Sequence, residues 1–185
     1  MARILLLAMF IVLVGAVAMA VKSCSDRAPP EHEVTDSSGL VALRDGSTMM
    51  AEHGTVGRDL VDWLAAGEEG QRRFELGGQE FVERTAEPTA ESLGRIPRLV
   101  AMLRANPDVD VIVIGHTDNT QDAAADMALS LARARMLVGR LEAAGIEPER
   151  LKVEARGSAE PLASDATAEG RRRNQRVSLV LVRDE

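Results

Sequence analysis

The spacing of apolar and polar positions changes several times along the chain, and each change marks an element. The run from Ile4 to Val21 carries no charge and is bounded by Arg3 and Lys22. A helix over it rises about 27 Å at ~1.5 Å per residue, close to the hydrocarbon thickness of a bilayer. From Ser23 to Gly39 apolar residues almost disappear, and Pro29, Pro30 and paired serines take their place. Such a composition cannot bury enough surface to fold and reads as a tether. Apolar residues return in TVGRDLVDWLAAG, where Val56, Leu60, Trp63 and Leu64 recur at helical spacing and Gly67 supplies a stop. In the first reading this amphipathic helix, residues 56–66, packs on its own domain, because a lone Trp on an apolar stripe is usually core. In the second it offers that face to a protein partner.

The C-terminal half alternates between the two periods. Phe74 to Val82 reads as a strand interrupted by Gly77 and Gly78. A helix follows from Thr89 to Arg104, with Ile96, Leu99, Val100 and Leu103 as its buried stripe. The β-branched run Val111 to Ile114 predicts a strand covered on both faces. A second helix spans Asp126 to Ala144 on Met127, Leu131, Ala134, Val138 and Leu141, and closes at Gly145. Leu151 to Arg156 alternates as a half-exposed strand, and Arg176 to Val182 forms the last one, with Arg183, Asp184 and Glu185 fraying into solvent. The order β-α-β-α-β-β predicts an α+β sandwich, a mixed sheet with helices on one face, preceded by an N-terminal membrane helix. The expected organisation is an anchor or signal segment (1–22), a linker (23–39), a short pre-domain segment (40–70) and a folded domain (71–185).

Charge and composition remove several functions. A net charge of -7 and a pI near 5.1 leave no concentrated basic surface for nucleic acid. The one dense basic run, Arg171, Arg172, Arg173 and Arg176, reads as an exposed helix or loop before the last strand. Aromatic residues make up 2% of the chain, so no platform exists for stacking bases or sugar rings, and contact with a wall polymer must be polar or ionic. The histidines are His32, His53 and His116, without an HExxH motif, a serine elbow or a reactive cysteine neighbourhood. No enzyme activity, cofactor or metal is expected.

The single cysteine, Cys24, draws its meaning from its place after the apolar run. A retained helix through residues 4–21 is the preferred tether, since its length exceeds the usual signal-peptide core. It would place the domain in the periplasm from the inner membrane. Val21-Lys22-Ser23-Cys24 also resembles a degraded lipoprotein box, so lipidation of Cys24 and an outer-membrane attachment come second, and cleavage with release last. The run contains no Asp, Glu, His or Lys, which argues against an ion-driven motor.

Candidate chemistry lies in the polar loop His116 to Asp122, between the buried strand and the second helix. Asp118 sits near the strand end and Arg133 two turns into the helix, so the two charges can face each other across a small cleft. A zwitterionic ligand suits them, its ammonium on Asp118 and its carboxylate on the Arg133 fork. The plain alternatives are a loop-capping carboxylate and a solvated helix arginine.

GHTD from Gly115, LSLARA from Leu129, LEAAGI from Leu141, the pair Gly157 and Pro161, and GRRRNQRVSL from Gly170 occur in that order over about 110 residues. In motif order and spacing the segment resembles the OmpA-like peptidoglycan-binding family of cell-envelope proteins. The resemblance implies that Asp118 and Arg133 hold the diaminopimelate of the peptidoglycan stem peptide. It places Thr117 and Leu129 along the same pocket, Asp126 near the ligand's carboxylate end, and Arg176 as the second arginine before the final strand. The chain departs from the family where Gln121 and Ala155 replace glycines, Asp126 an asparagine and Gln175 an arginine.

Overall fold

The computed structural model of the protein describes residues 39–77 and 80–184. The expected membrane segment, Cys24 and the linker as far as residue 38 lie outside the described residues. Among the described residues, no helix is long and apolar enough to cross a membrane.

The described chain opens with a hairpin, β1 (Leu40–Ala42) and β2 (Thr48–Met50), paired antiparallel. Sequence spacing did not predict it, since three-residue strands are too short to show a period. Helix α1 (Val56–Ala66) starts where Thr55 accepts a hydrogen bond from the Arg58 amide at 3.3 Å, and Gly67 ends it. Its buried residues are Leu60, Val61, Trp63 and Leu64. They belong to one core with Phe74, Leu99, Leu103, Val111 and Leu179, and the Trp63 ring meets Phe74 edge-on at 6.3 Å between centroids.

The main sheet has four strands in the order β3 (Gly70–Glu75), β6 (Val177–Arg183), β4 (Asp110–Gly115) and β5 (Leu151–Ala155). The β3–β6 and β6–β4 pairs are antiparallel and β4–β5 is parallel, so the sheet is mixed. The parallel pair requires a crossover, which α3 (Ala123–Ala143) supplies. Val111, Val113, Leu179 and Leu181 face a layer built from α2 (Ala90–Arg104) and α3, whose Leu99, Leu103, Ala134, Leu137 and Leu141 complete the core. A further short helix, α4 (Ala168–Asn174), stands between β5 and β6.

Four expectations change. The first strand of the sheet runs Gly70–Glu75, not Phe74–Val82. It is an edge strand on which only Phe74 is buried, so its apolar alternation is too sparse to read. Arg171, Arg172 and Arg173 lie in α4, a helix before the last strand as expected, but Arg176 follows that helix and is buried, and α4 makes the order of the C-terminal half β-α-β-α-β-α-β. Arg183 does not fray: its guanidinium pairs with Asp108 at 2.8 Å, donates to the Leu64 and Glu68 carbonyls at the end of α1 and lies 5.2 Å from the Trp63 ring centroid. Finally, α3 buries Asp126, Ser130, Arg133, Ala134, Leu137, Val138 and Leu141, while Met127 is 46% exposed. The inward face of its first turns is polar, so an apolar template selects the neighbouring stripe.

Candidate functional site

The site forms where β4 ends and α3 passes over it. A Cβ on Gly115 would stand 1.8 Å from the Ser130 carbonyl oxygen, so only glycine lets helix and strand approach this closely. That contact brings Arg133, one turn further along α3, against the segment His116–Thr117–Asp118. The segment is held by backbone bonds from the His116 amide to the Arg176 carbonyl (2.9 Å) and from the Thr117 amide to the Gly157 carbonyl (2.9 Å). The loop that follows folds on its own polar groups. The Asn119 carboxamide oxygen accepts from the Gln121 amide at 2.8 Å, and Asp122 caps α3 by accepting from the Ala125 amide at 3.0 Å. Gln121 adopts φ 68°, the left-handed conformation that a glycine takes without steric cost.

Asp118 is 5% exposed and its carboxylate has no hydrogen bond or ion pair among the described residues. The neighbouring Thr117 hydroxyl is buried and also without a partner. Two polar groups thus stand side by side with unused capacity, an unusual state in a close-packed interior.

Arg133 presents the opposite case. It is 0% exposed, and each guanidinium nitrogen donates to the protein: Nε to the Thr85 carbonyl at 2.9 Å, Nη1 to the His116 carbonyl at 3.1 Å and Nη2 to Gln175 Oε1 at 2.9 Å. Its guanidinium carbon lies 4.7 Å from the Phe81 ring centroid. Burial lowers its pKa to about 10, while the nearby Asp118 and Glu80 charges act in the other direction. Asp118 and Arg133 form no ion pair in this arrangement.

The groups that cover Arg133 come from a turn that the sequence did not flag. Phe81 and Pro88 form an isolated bridge, the Val82 amide donates to the Glu87 carbonyl at 2.9 Å, and Arg84 takes φ 58° at the bend. The Arg84 amide points at the same Gln175 oxygen, at 3.4 Å, that receives Arg133. Gln175 therefore joins the turn to the arginine. A cleft of about 270 Å³ bordered by Phe81, Glu83, Ala168, Arg171 and Gln175 opens beside this junction.

The remaining expected residues have other partners. Leu129 is half-buried on α3. Asp126 accepts from the Thr120 hydroxyl (2.6 Å), the Thr120 amide (3.2 Å) and the Ser158 hydroxyl (2.9 Å), so its charge fixes the loop. Arg176 pairs with Glu75 at 2.7 Å and donates to the Glu160 carbonyl at 3.2 Å. His116 turns its ring away into this second network, where Nε2 lies 3.0 Å from both Arg73 Nη2 and Ser178 Oγ. A guanidinium can only donate, so Nε2 accepts and the ring proton sits on Nδ1. Burial, with Arg176 and Arg73 nearby, holds the His116 pKa down to about 4 and leaves the ring neutral.

Two residues that sequence reasoning passed over also shape the region. Glu80 is 3% exposed, accepts from the Val177 amide at 2.6 Å and keeps its other oxygen unpartnered. Asn174 spans the loop before α4, accepting from the Leu162 and Ala163 amides and donating to the Ala163 carbonyl and Asp165. An asparagine inside an arginine-rich run was the available signal for the second; nothing in the sequence marks the first.

Comparison with known proteins gives the same frame. The OmpA family model matches residues 79–175. The chain is 38% identical over 84 residues to the peptidoglycan-binding protein ArfA of Mycobacterium tuberculosis, covering 45% of this chain and 26% of that protein. It is 40% identical over 83 residues to the probable lipoprotein YiaD of Escherichia coli, covering 44% and 38%. The chain thus spans roughly a quarter to two fifths of the length of these relatives. Among solved structures, the cell wall anchor of the T6SS from Pseudomonas aeruginosa superposes with a TM-score of 0.57 at 28% identity, over 72% of this chain and 100% of that one.

Proposed function

The chain belongs to the OmpA family, and we propose that it grips peptidoglycan non-covalently from a membrane tether, through the diaminopimelate of the stem peptide. The observation that carries this reading is the Asp118 carboxylate, buried beside the unpartnered Thr117 hydroxyl and claimed by no other described residue. A carboxylate held in that state suits a ligand ammonium, with the ligand's carboxylate on Arg133. For the second contact, the turn at 81–88 lifts and the ligand takes the place of the Thr85 carbonyl or of Gln175 on the guanidinium. Thr117 and Leu129 line the pocket, and Asp126 and Arg176 hold its walls in position. The relative named a peptidoglycan-binding protein and the structural neighbour described as a cell wall anchor support the assignment.

In this reading residues 1–22 anchor the chain in the inner membrane, 23–39 form the tether, 40–70 dock on the domain, and 71–185 reach the wall in the periplasm of a Gram-negative envelope. The chain acts by binding and carries out no reaction. Each charge-assisted contact contributes about 1.5–3 kcal/mol, so a single site is modest after the cost of association, and retention on the wall relies on rebinding along the polymer. A second reading places lipid on Cys24 instead of a membrane helix, favoured by the position of that cysteine and by the relative named a probable lipoprotein.

The full-length chain in mild detergent should pellet with diaminopimelate-containing sacculi, and Asp118→Asn should stay in the supernatant. Equal pelleting of the two removes the pocket. Palmitate labelling that disappears in Cys24→Ala would move the tether to lipid, and unlabelled wild type would remove the second reading.

A further inference from the structure

The four-stranded sheet has two open edges, β3 and β5, and they differ in what they can receive. Among the described residues β5 pairs only with β4, in parallel, and the Arg156 amide donates to the Gly115 carbonyl at 3.0 Å. Alternate residues of such a strand turn to its neighbour, so Lys152, Glu154 and Arg156 direct their backbone groups at β4 and Val153 directs its own outward. The Val153 amide and carbonyl have no hydrogen-bond partner among the described residues. Leu151 and Val153 lie on the helix side of the sheet, packed against the core, while Lys152 and Glu154 stand on the opposite face.

An open edge is a template for another strand, and its side chains decide which strand fits. Against a second copy of β5 running antiparallel, the register centred on Val153 sets Lys152 opposite Glu154 twice, once on each side of the dyad. The registers centred on Lys152 or on Glu154 set like charges together. On β3 the registers centred on Arg72, on Arg73 or between them all oppose arginines, so that edge repels its own copy. Both β5 charges have capacity left among the described residues: Arg156 takes only Oε2 of Glu154, and Lys152 reaches only Asp110, at 3.8 Å. The Lys152 and Glu154 side chains are 62% and 36% exposed, open to a facing strand.

We infer that β5 is the interface with a second copy of this chain, in a two-fold dimer whose sheets join edge to edge across Val153. The two Val153 residues exchange a pair of backbone hydrogen bonds. In the adjacent non-hydrogen-bonded pairs, where side chains stand closest, Lys152 meets Glu154 of the second copy. The helix layer fits the same symmetry. Helix α3 packs on both β4 and β5, so two strand spacings, about 10 Å, separate it from its mate, within reach of the ~8–10 Å of packed helices. Two apolar side chains face that seam. Met136 shares a cavity wall with Leu99 and Met102 of α2, and Met127 and Leu131 lie about 180° and 140° around α3 from it. Met127 is 46% exposed and Leu131 half-buried, and neither belongs to the core. The interface is separate from the Asp118 pocket and does not rest on wall binding.

The test follows energy transfer between donor- and acceptor-tagged full-length chains in mild detergent as their concentration rises. Wild type should show saturable, concentration-dependent transfer. Lys152→Glu and Glu154→Lys, each alone, should weaken self-association by about tenfold or more, since each turns two cross-strand attractions into repulsions. Mixing Lys152→Glu chains with Glu154→Lys chains should restore it, because every facing pair is then opposite in charge. That recovery also excludes misfolding as the cause of the single-variant losses. Arg72→Glu, on the other edge, should associate like wild type. Absence of transfer in wild type, single variants that associate as strongly as wild type, or a mixture as weak as either variant alone would each overturn the assignment.

Discussion

Replacing Arg133 by alanine is the perturbation whose cost follows most directly from the structure. It takes a donor from the Thr85 carbonyl, the His116 carbonyl and Gln175 Oε1, and removes the cation stacked on Phe81. Hydrogen bonds to a charged group contribute about 1.5–3 kcal/mol each and a desolvated cation–π contact about 2, giving a gross loss of roughly 6.5–11 kcal/mol. Against this stands the cost of burying the guanidinium. Its pKa falls to about 10 from 12.5, equivalent to about 3 kcal/mol that alanine does not incur. The net expectation is a destabilisation of roughly 3.5–8 kcal/mol, whose lower part is the usual range of about 3–5 for removing one partner from a buried charged cluster. Urea unfolding followed by fluorescence reads it directly, since Trp63 is the chain's one tryptophan and is 4% exposed. A variant within about 1 kcal/mol of wild type would refute the reasoning and show the guanidinium to be free of its protein acceptors. Loss of wall binding in Arg133→Ala is consequently not evidence of a ligand contact by itself. Asp118→Asn removes no described hydrogen bond and should stay within about 1 kcal/mol of wild type.

Gln121→Gly should stabilise the domain by about 0.5–1 kcal/mol, because relief of the left-handed conformation exceeds the extra chain entropy of glycine; an unchanged or lower Tm would count against strain at this loop. Glu80→Gln should melt with wild type near pH 4.5 and above it at pH 8. The folded carboxyl titrates well above its ordinary 4.5, so above pH 4.5 the native state holds more protons than the unfolded chain and wild type loses stability as pH rises, while the amide does not. Identical melting at both pH values would show that Glu80 is not held protonated.

The parts of the fold that sequence displays are those whose period is complete. Val111–Ile114 is apolar on both faces because β4 is central, and the stripe of α2 through Leu99, Val100 and Leu103 repeats long enough to be read. The edge strand β3 buries only Phe74, which leaves its bounds illegible, and the three-residue strands of the hairpin carry no period at all. On α3 the stripe was shifted because Asp126, Ser130 and Arg133 occupy the inward face, and the same polarity gives that face its site. Motif order identified Asp118 and Arg133 as the pair to watch. It could not show that Arg133 is sealed, because Phe81, Thr85 and Gln175 reach it from distant parts of the chain and only tertiary packing brings them there. In sequence Arg183 looks like a frayed end for the same reason: its partners Leu64, Glu68 and Asp108 lie far away along the chain.

The central claim is that Asp118 receives the ammonium and Arg133 the carboxylate of diaminopimelate. Calorimetric titration with two stem peptides, identical except that one carries diaminopimelate and the other lysine, isolates it. Both present the ammonium and only the first presents the carboxylate. The account predicts binding of the diaminopimelate peptide tighter by about 10- to 150-fold, the worth of one charge-assisted contact at about 1.5–3 kcal/mol, with both peptides lost in Asp118→Asn. Equal affinity for the two peptides, or undiminished binding by Asp118→Asn, would contradict it.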